Sequence, residues 1–197
     1  MAICRAVLWI RQVGPDRRAG PCWTRRDLAR HSPCDLRAFV SRPPRLDGFE
    51  YIGLYRYFLT FSARSRRAVF TDTITARETL AQVLRTASKE HFSILAYCLM
   101  PDHVRLLVEG TTERADVRRF AKMSKQRSGA AHALRCRGRL WQEGYHDRIL
   151  RKDEDVKDIA RYILENPVRA GLVRVPTDYP YLGSEIWTLT ELFDAYQ

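Results

Sequence analysis

Residues 92–110 read Phe92-Ser-Ile-Leu-Ala-Tyr-Cys-Leu-Met-Pro-Asp-His-Val-Arg-Leu-Leu-Val-Glu-Gly110. Pro101-Asp102 is a turn signal between two apolar runs. After it, Val104, Leu106 and Val108 alternate with His103, Arg105, Leu107 and Glu109. A strand sends alternate side chains to opposite faces. Val104, Leu106 and Val108 therefore require a core, and His103 and Arg105 share the other face. The stretch predicts a β-hairpin with a polar pair on one side.

Working outward towards the N-terminus, residues 51–62 predict a strand, with Tyr55, Tyr57, Leu59 and Phe61 on one face. A basic turn follows, Arg64-Ser-Arg-Arg67. Residues 73–90 predict a helix capped by Thr73 or Thr75, with Ile74, Leu80, Val83, Leu84 and Ala87 as its apolar stripe. Beyond the hairpin, a second helix spans about residues 114–134, with a possible break at Gly129. Val117, Phe120, Ala121 and Ser124 face inward there. Arg118, Arg119, Lys122, Lys125 and Arg127 form a basic stripe. Residues 139–150 enter a further strand. A third helix, capped by Asp153 or Asp155, ends at Asn166-Pro167 and buries Val156, Ile159, Ala160, Ile163 and Leu164. A short helix over residues 190–196 closes the chain. The order strand, helix, hairpin, helix, strand, helix is the ferredoxin-like plan: an α+β fold with an antiparallel sheet and two helices on one face. The third helix is an addition and packs on the remaining sheet face or at an edge.

Residues 1–48 differ in character. Ten arginines stand against four aspartates, a net +6, and five prolines interrupt any long element. They read as a basic, mostly irregular arm with a short helix near residues 24–30, ahead of a folded domain over residues 49–197. A role for the arm and no role both stay open.

The chain has 197 residues, enough for one domain with a substantial core. Its net charge is +11 and its pI about 9.8. That balance points to a polyanionic partner, nucleic acid first and an acidic membrane surface second. The five cysteines include no C-x-x-C pair, so neither a zinc site nor a disulfide framework is indicated. No run approaches the ~18 apolar residues of a membrane span. A cytoplasmic location is the expectation.

Two groups can carry chemistry. Tyr162 and Asn166 are four apart on the third helix and so lie one above the other. Spacing alone leaves Tyr162 open as a nucleophile or as an amphipathic residue with a buried ring and a wet hydroxyl. His103 is open as a metal ligand or as a structural strand histidine. Arg105 beside it weakens the metal case, because a permanent cation repels Mg²⁺ or Mn²⁺.

Four segments in series carry a resemblance. They are Phe49-Glu-Tyr-Ile-Gly-Leu-Tyr-Arg-Tyr-Phe-Leu-Thr-Phe61, Ala96-Tyr-Cys-Leu-Met-Pro-Asp-His-Val-Arg-Leu-Leu-Val108, Leu140-Trp-Gln-Glu-Gly-Tyr-His-Asp-Arg-Ile-Leu-Arg151 and Ala160-Arg-Tyr-Ile-Leu-Glu-Asn-Pro-Val-Arg-Ala-Gly-Leu-Val173. In that order the chain resembles the REP-associated tyrosine transposases, a branch of the single-tyrosine HUH transposases. The resemblance spans roughly residues 43–192 and implies a single-stranded DNA endonuclease and strand transferase acting at DNA hairpins. It implies Tyr162 as nucleophile, through a 5′-phosphotyrosine link, and His103 and Asn166 as ligands of Mg²⁺ or Mn²⁺. The implied partner is a single-stranded DNA hairpin, met by a monomer or a homodimer and not by a membrane protein. Arg64, Arg66 and Arg67 with the stripe Arg118, Arg119, Lys122, Lys125 and Arg127 are the candidate DNA contacts, and Trp141 and Tyr145 are candidate stacking residues. Trp141 reads more readily as a core anchor.

The departure is Arg105, where the family carries a second histidine. A guanidinium cannot replace an imidazole ligand. Three readings stay open: an enzyme short of a ligand that still binds DNA, His146 leaning in as a substitute, or Arg105 binding the scissile phosphate directly. The alternative function is a catalytically inactive hairpin-binding protein on the same scaffold. A remoter one is an RNA-binding domain using Tyr55, Tyr57 and Phe61.

Overall fold

The computed structural model describes residues 50–151 and 154–193. The expectations for the arm over residues 1–48 lie outside them. The elements are β1 (Arg56–Ser62), α1 (Thr73–Lys89), β2 (Phe92–Met100), β3 (His103–Gly110), α2 (Val117–Cys136), β4 (His146–Ile149), α3 (Val156–Leu164), α4 (Asn166–Arg169), β5 (Leu182–Gly183) and α5 (Leu189–Phe193). The sheet order is β4-β1-β3-β2-β5, antiparallel throughout. The first four strands have the ferredoxin-like order, so the α+β expectation holds.

The hairpin divides the molecule into two layers. Val104, Leu106 and Val108 are fully buried opposite Phe61, Leu59 and Tyr57 of β1. Phe120 of α2 stacks on Phe92 at 5.0 Å, and Trp141 meets Phe61 edge-on at 5.9 Å. Tyr57 and Phe61 thus belong to the core under α1 and α2, which removes the RNA-binding face considered for them. Leu107, on the other face of β3, belongs to a second apolar cluster with Ala96, Cys98, Ala160, Ile163, Leu164 and Leu192. This places α3 on the face opposite α1 and α2.

A bulge in β2 makes the second cluster possible. The register shifts between Ile94, opposite Val108, and Ala96, opposite Leu107. One extra residue reverses which side chains meet which face. Ile94 therefore packs under α1 and α2, whereas Ala96, Cys98 and Met100 line the α3 side.

Local readings needed correction in several places. The first strand begins at Arg56, because the preceding segment turns at Gly53 with φ 120°, a conformation open to glycine. Ile74 is exposed rather than part of the helix stripe. α2 runs unbroken through Gly129. The strand β5 was not foreseen. Two residues are too few to show a period, and β5 exists because Tyr181 O accepts from Leu99 N (2.8 Å) and Tyr179 Oη donates to Leu99 O (2.6 Å).

The cap of α1 is Asp72, not Thr73 or Thr75. Its Oδ2 accepts from Thr75 N (3.0 Å) and Thr75 Oγ1 (2.6 Å), and it pairs with Arg135 of α2 at 2.7 Å. The Thr75 hydroxyl is the largest influence on the carboxyl, which is lowered from 3.8 to about 2. Asp72→Ala should cost about 1 kcal/mol of stability at neutral pH, as loss of an aspartate cap typically does. A group with a lowered folded pKa contributes fully above its unfolded value. Thermal melts should therefore separate wild type and variant above pH 3.8 and converge as the pH falls towards 2.

Candidate active site

The register of the hairpin fixes the site. On the α3 face of the sheet, His103 lies between Ser62 and Met100, and Arg105 between Thr60 and Cys98. His146 of β4 pairs with Thr60, so it occupies the same face in line with Arg105, two strand spacings or about 10 Å away.

α3 brings the tyrosine. It is nine residues long, too short to stand alone in water. Asp155 caps it, accepting from Lys157 N and Asp158 N, and Ala160, Ile163 and Leu164 are buried on the sheet. Tyr162 projects from the uncovered side and remains 49% exposed. The Arg169 guanidinium lies 4.0 Å from its ring centroid, and that of Arg105 lies 5.9 Å away. Both distances allow a cation–π attraction.

Arg169 was not singled out by the sequence reading. It donates to Tyr162 O (2.5 Å) and Asn166 Oδ1 (2.9 Å), and pairs with Glu165 at 3.2 Å. The available signal was its spacing of seven residues from Tyr162, about two helical turns. Pro167 argued against carrying the helix that far. The chain instead restarts as α4, with Pro167 in the first turn where its missing N–H costs nothing.

His103 is held at both ring nitrogens. Nδ1 lies 2.6 Å from Asp102 Oδ1, and Arg105 Nε–H donates to Nε2 at 3.2 Å. That pair of contacts assigns the neutral tautomer with its proton on Nδ1. Burial is the main force lowering the His103 pKa, with Arg105 and Arg66 adding to it and Asp102 opposing it. Burial would raise the Asp102 carboxyl. The bond from His103 and the nearby cations outweigh that and lower it. Arg66 also pairs with Asp102 at 3.2 Å. Arg66, Asp102, His103 and Arg105 form one continuous chain.

A divalent cation at His103 and Asn166 meets a poor donor set in this arrangement. The His103 Nε2 lone pair accepts from Arg105. Asn166 Nδ2 donates to Ile163 O at 2.9 Å, and its Oδ1 accepts from Arg169. Among the described residues no group of three His, Cys, Asp or Glu is placed to hold a metal ion. Two guanidinia stand where a cation site would want carboxylates.

The candidate DNA contacts divide by location. Of the turn arginines, Arg66 borders the site, pairing with Asp102 and donating to Ser62 Oγ, whereas Arg64 lines a surface pocket with Trp141 and Gln142, and Arg67 lies near His132 of α2. The stripe on α2 lies in the layer behind the sheet. Arg119 pairs with Glu90 at 2.6 Å, with Arg127 4.0 Å from the same carboxylate, and Lys125 donates to Gln142 O at 2.7 Å. Arg118 stacks on Tyr51 at 4.7 Å, and Lys122 is exposed. Trp141 donates to Ser128 Oγ at 2.9 Å and packs on Phe70, as a core anchor does. Tyr145 meets Phe61 edge-on at 5.9 Å.

Comparisons with known proteins identify the family and the fold. The model of the family described as "Transposase IS200 like" matches residues 52–166. A Haemophilus influenzae protein named as a REP-associated tyrosine transposase is 28% identical over 142 residues, covering 66% of this chain and 78% of its own. The REP-associated tyrosine transposase of Escherichia coli K12 is 27% identical over 136 residues, covering 66% and 77%. The fold matches the solved structure of a REP-associated tyrosine transposase bound to a REP hairpin, with TM-score 0.59 and 23% identity over 67% of this chain and 78% of that one. Among the described residues no helix is long and apolar enough to cross a membrane. The match over residues 52–166 includes the hairpin that holds His103 and the helix that holds Tyr162, and on that ground the chain belongs to the IS200-like transposase family.

Proposed function

We propose that this chain binds single-stranded or hairpin DNA and transfers a strand through Tyr162. The tyrosine oxygen attacks a backbone phosphorus. An Oη–P bond forms as the P–O3′ bond breaks. The phenol proton is lost and the departing 3′ oxygen gains one, leaving a 5′-phosphotyrosine and a free 3′-hydroxyl. The observation that carries the reading is the exposed Tyr162 ring beside two guanidinia, on the sheet face of His103. A phosphodiester brought to the tyrosine hydroxyl would meet positive charge there, and fixed charge aimed at the reacting phosphate is the main way a protein accelerates phosphoryl transfer. Arg66 extends that charge towards the β1–α1 turn, a path for the backbone of an incoming strand.

A second reading is a hairpin-binding protein without catalysis. The bond from Arg105 Nε to His103 Nε2 favours it, since it occupies the nitrogen that would hold a metal.

The test is incubation of the purified chain with DNA stem-loop oligonucleotides, with Mg²⁺, with Mn²⁺ and with chelator, read on a denaturing gel. A covalent protein–DNA band is the expected result. Mobility-shift binding without such a band under every condition would leave only the second reading.

A further inference from the structure

The basic chain Arg66, Asp102, His103 and Arg105 leads to the face of Tyr162. Asp102 is the carboxylate at its inner end, and its Oδ1 and Oδ2 face His103 and Arg66. Arg105 is braced from behind, with Nε committed to His103 and its guanidinium carbon 5.9 Å from the tyrosine ring centroid. Arg169 is braced from the opposite side by Tyr162 O, Asn166 Oδ1 and Glu165. The buried Cys98 senses both. Burial pushes its thiol up to about 12, and Arg105 and Arg169 each pull against that. The two guanidinia therefore converge on one patch of the sheet face, although they come from a strand and from a helix far apart in sequence.

We propose that Arg105 and Arg169 form a phosphodiester clamp at Tyr162, and that this face engages DNA without a divalent cation at His103. The proposal rests on the reading that Tyr162 meets a DNA phosphodiester. A guanidinium offers a planar fork that matches two phosphate oxygens, and it keeps its charge at every accessible pH. In this arrangement His103 is a positioning residue. It is oriented by Asp102 at Nδ1, and it accepts from Arg105 at Nε2 so that the fork is aimed instead of swinging free. A strand arginine without such a brace would lose more side-chain entropy on meeting its ligand.

The experiment measures the affinity of the full chain for a DNA stem-loop oligonucleotide with Mg²⁺ and with chelator, across a series of salt concentrations. The wild type should bind equally well in both. Arg105→Gln should weaken binding about tenfold or more, as loss of a charged hydrogen bond does, and Arg169→Gln should weaken it comparably. Each variant should lower the salt slope by about 1. Arg169 is on the surface, so its variant tests the clamp even if Arg105→Gln disturbs β3. A second readout uses Mn²⁺ alone and follows paramagnetic broadening of the His103 imidazole by NMR. The wild type should show none, and Arg105→His should show it.

Broadening of His103 in the wild type, chelator-sensitive binding, or wild-type affinity and salt slope in both variants would overturn the clamp. The two proposals fail separately. Chelator-insensitive, Arg105-dependent binding without a covalent band keeps the clamp and removes the strand transferase. A covalent band that requires Mg²⁺ keeps Tyr162 as nucleophile and removes the clamp.

Discussion

Tyr162→Phe should abolish the covalent protein–DNA band while leaving stem-loop affinity within about threefold of wild type. A phenylalanine ring keeps the packing of the tyrosine ring, and its face still attracts cations, though less strongly than that of tyrosine or tryptophan. Arg169 keeps its bonds to the residue-162 carbonyl and to Asn166, which do not involve the phenol. The substitution removes one oxygen from an exposed position, so fold stability should change little. On the proposed reading the atom lost is the bond-forming one. Cys98 lies on the same sheet face, but its thiol is fully buried and pushed up to about 12, so it is protonated at neutral pH. A residual band in Tyr162→Phe would place the nucleophile elsewhere.

Ile163→Ala should destabilise the chain by about 2–5 kcal/mol, the range for truncating a buried aliphatic side chain to alanine. Ile163 is fully buried in the cluster that joins α3 to Ala96, Cys98 and Leu107. α3 has little else to hold it. Nine residues form a marginal helix, its cap Asp155 is exposed, and the bond from Arg161 Nε to Leu192 O ties it to the short α5. The loss should therefore appear first as local opening of α3, with faster amide exchange over Val156–Leu164 than over β3. The covalent band should fall with it, because the tyrosine must be held within a few tenths of an ångström of in-line geometry. Urea denaturation and amide exchange measured on the same variant separate the two effects. Equal acceleration of exchange in α3 and β3 would mean that the second cluster is part of the global fold and not a separately opening layer.

The contrast between these two substitutions follows from how the site is built. Its hydroxyl is carried by a thin layer, one short helix on a sheet face, while the strand that presents His103 and Arg105 runs through the middle of the sheet. β3 is flanked by β1 and β2 along its whole length. Arg105 is therefore the more rigid of the two guanidinia. Arg169 is bonded to Tyr162 O and Asn166 Oδ1, so its placement depends on α3 and α4.

Period and register made much of this legible. The alternation across residues 103–109 put Val104, Leu106 and Val108 in the core and His103 with Arg105 on the opposite face. The structure has that arrangement because a strand offers only two faces. The apolar stripe of residues 156–164 foretold a helix that needs a sheet to lie on. The basic composition points to a polyanion partner, and four short segments in series foretold the family. These signals are local or additive, and so survive in a linear string.

Tertiary structure decided the rest. The bulge at Leu95 is invisible in an unbroken apolar run, yet it determines which half of β2 faces α3. β5 exists only through the edge of β2. The pairing of Arg169 with Tyr162 needed the chain to restart after Pro167, and Pro167 by itself read as a stop. Arg105 and His103, adjacent residues of one strand face, are joined by a hydrogen bond at Nε2, the nitrogen a metal would need. Sequence spacing placed the two side by side, but whether they would share a cation or a hydrogen bond depended on Asp102 supplying the opposite ring nitrogen with its acceptor. That choice is made by three-dimensional charge balance, which no periodicity encodes.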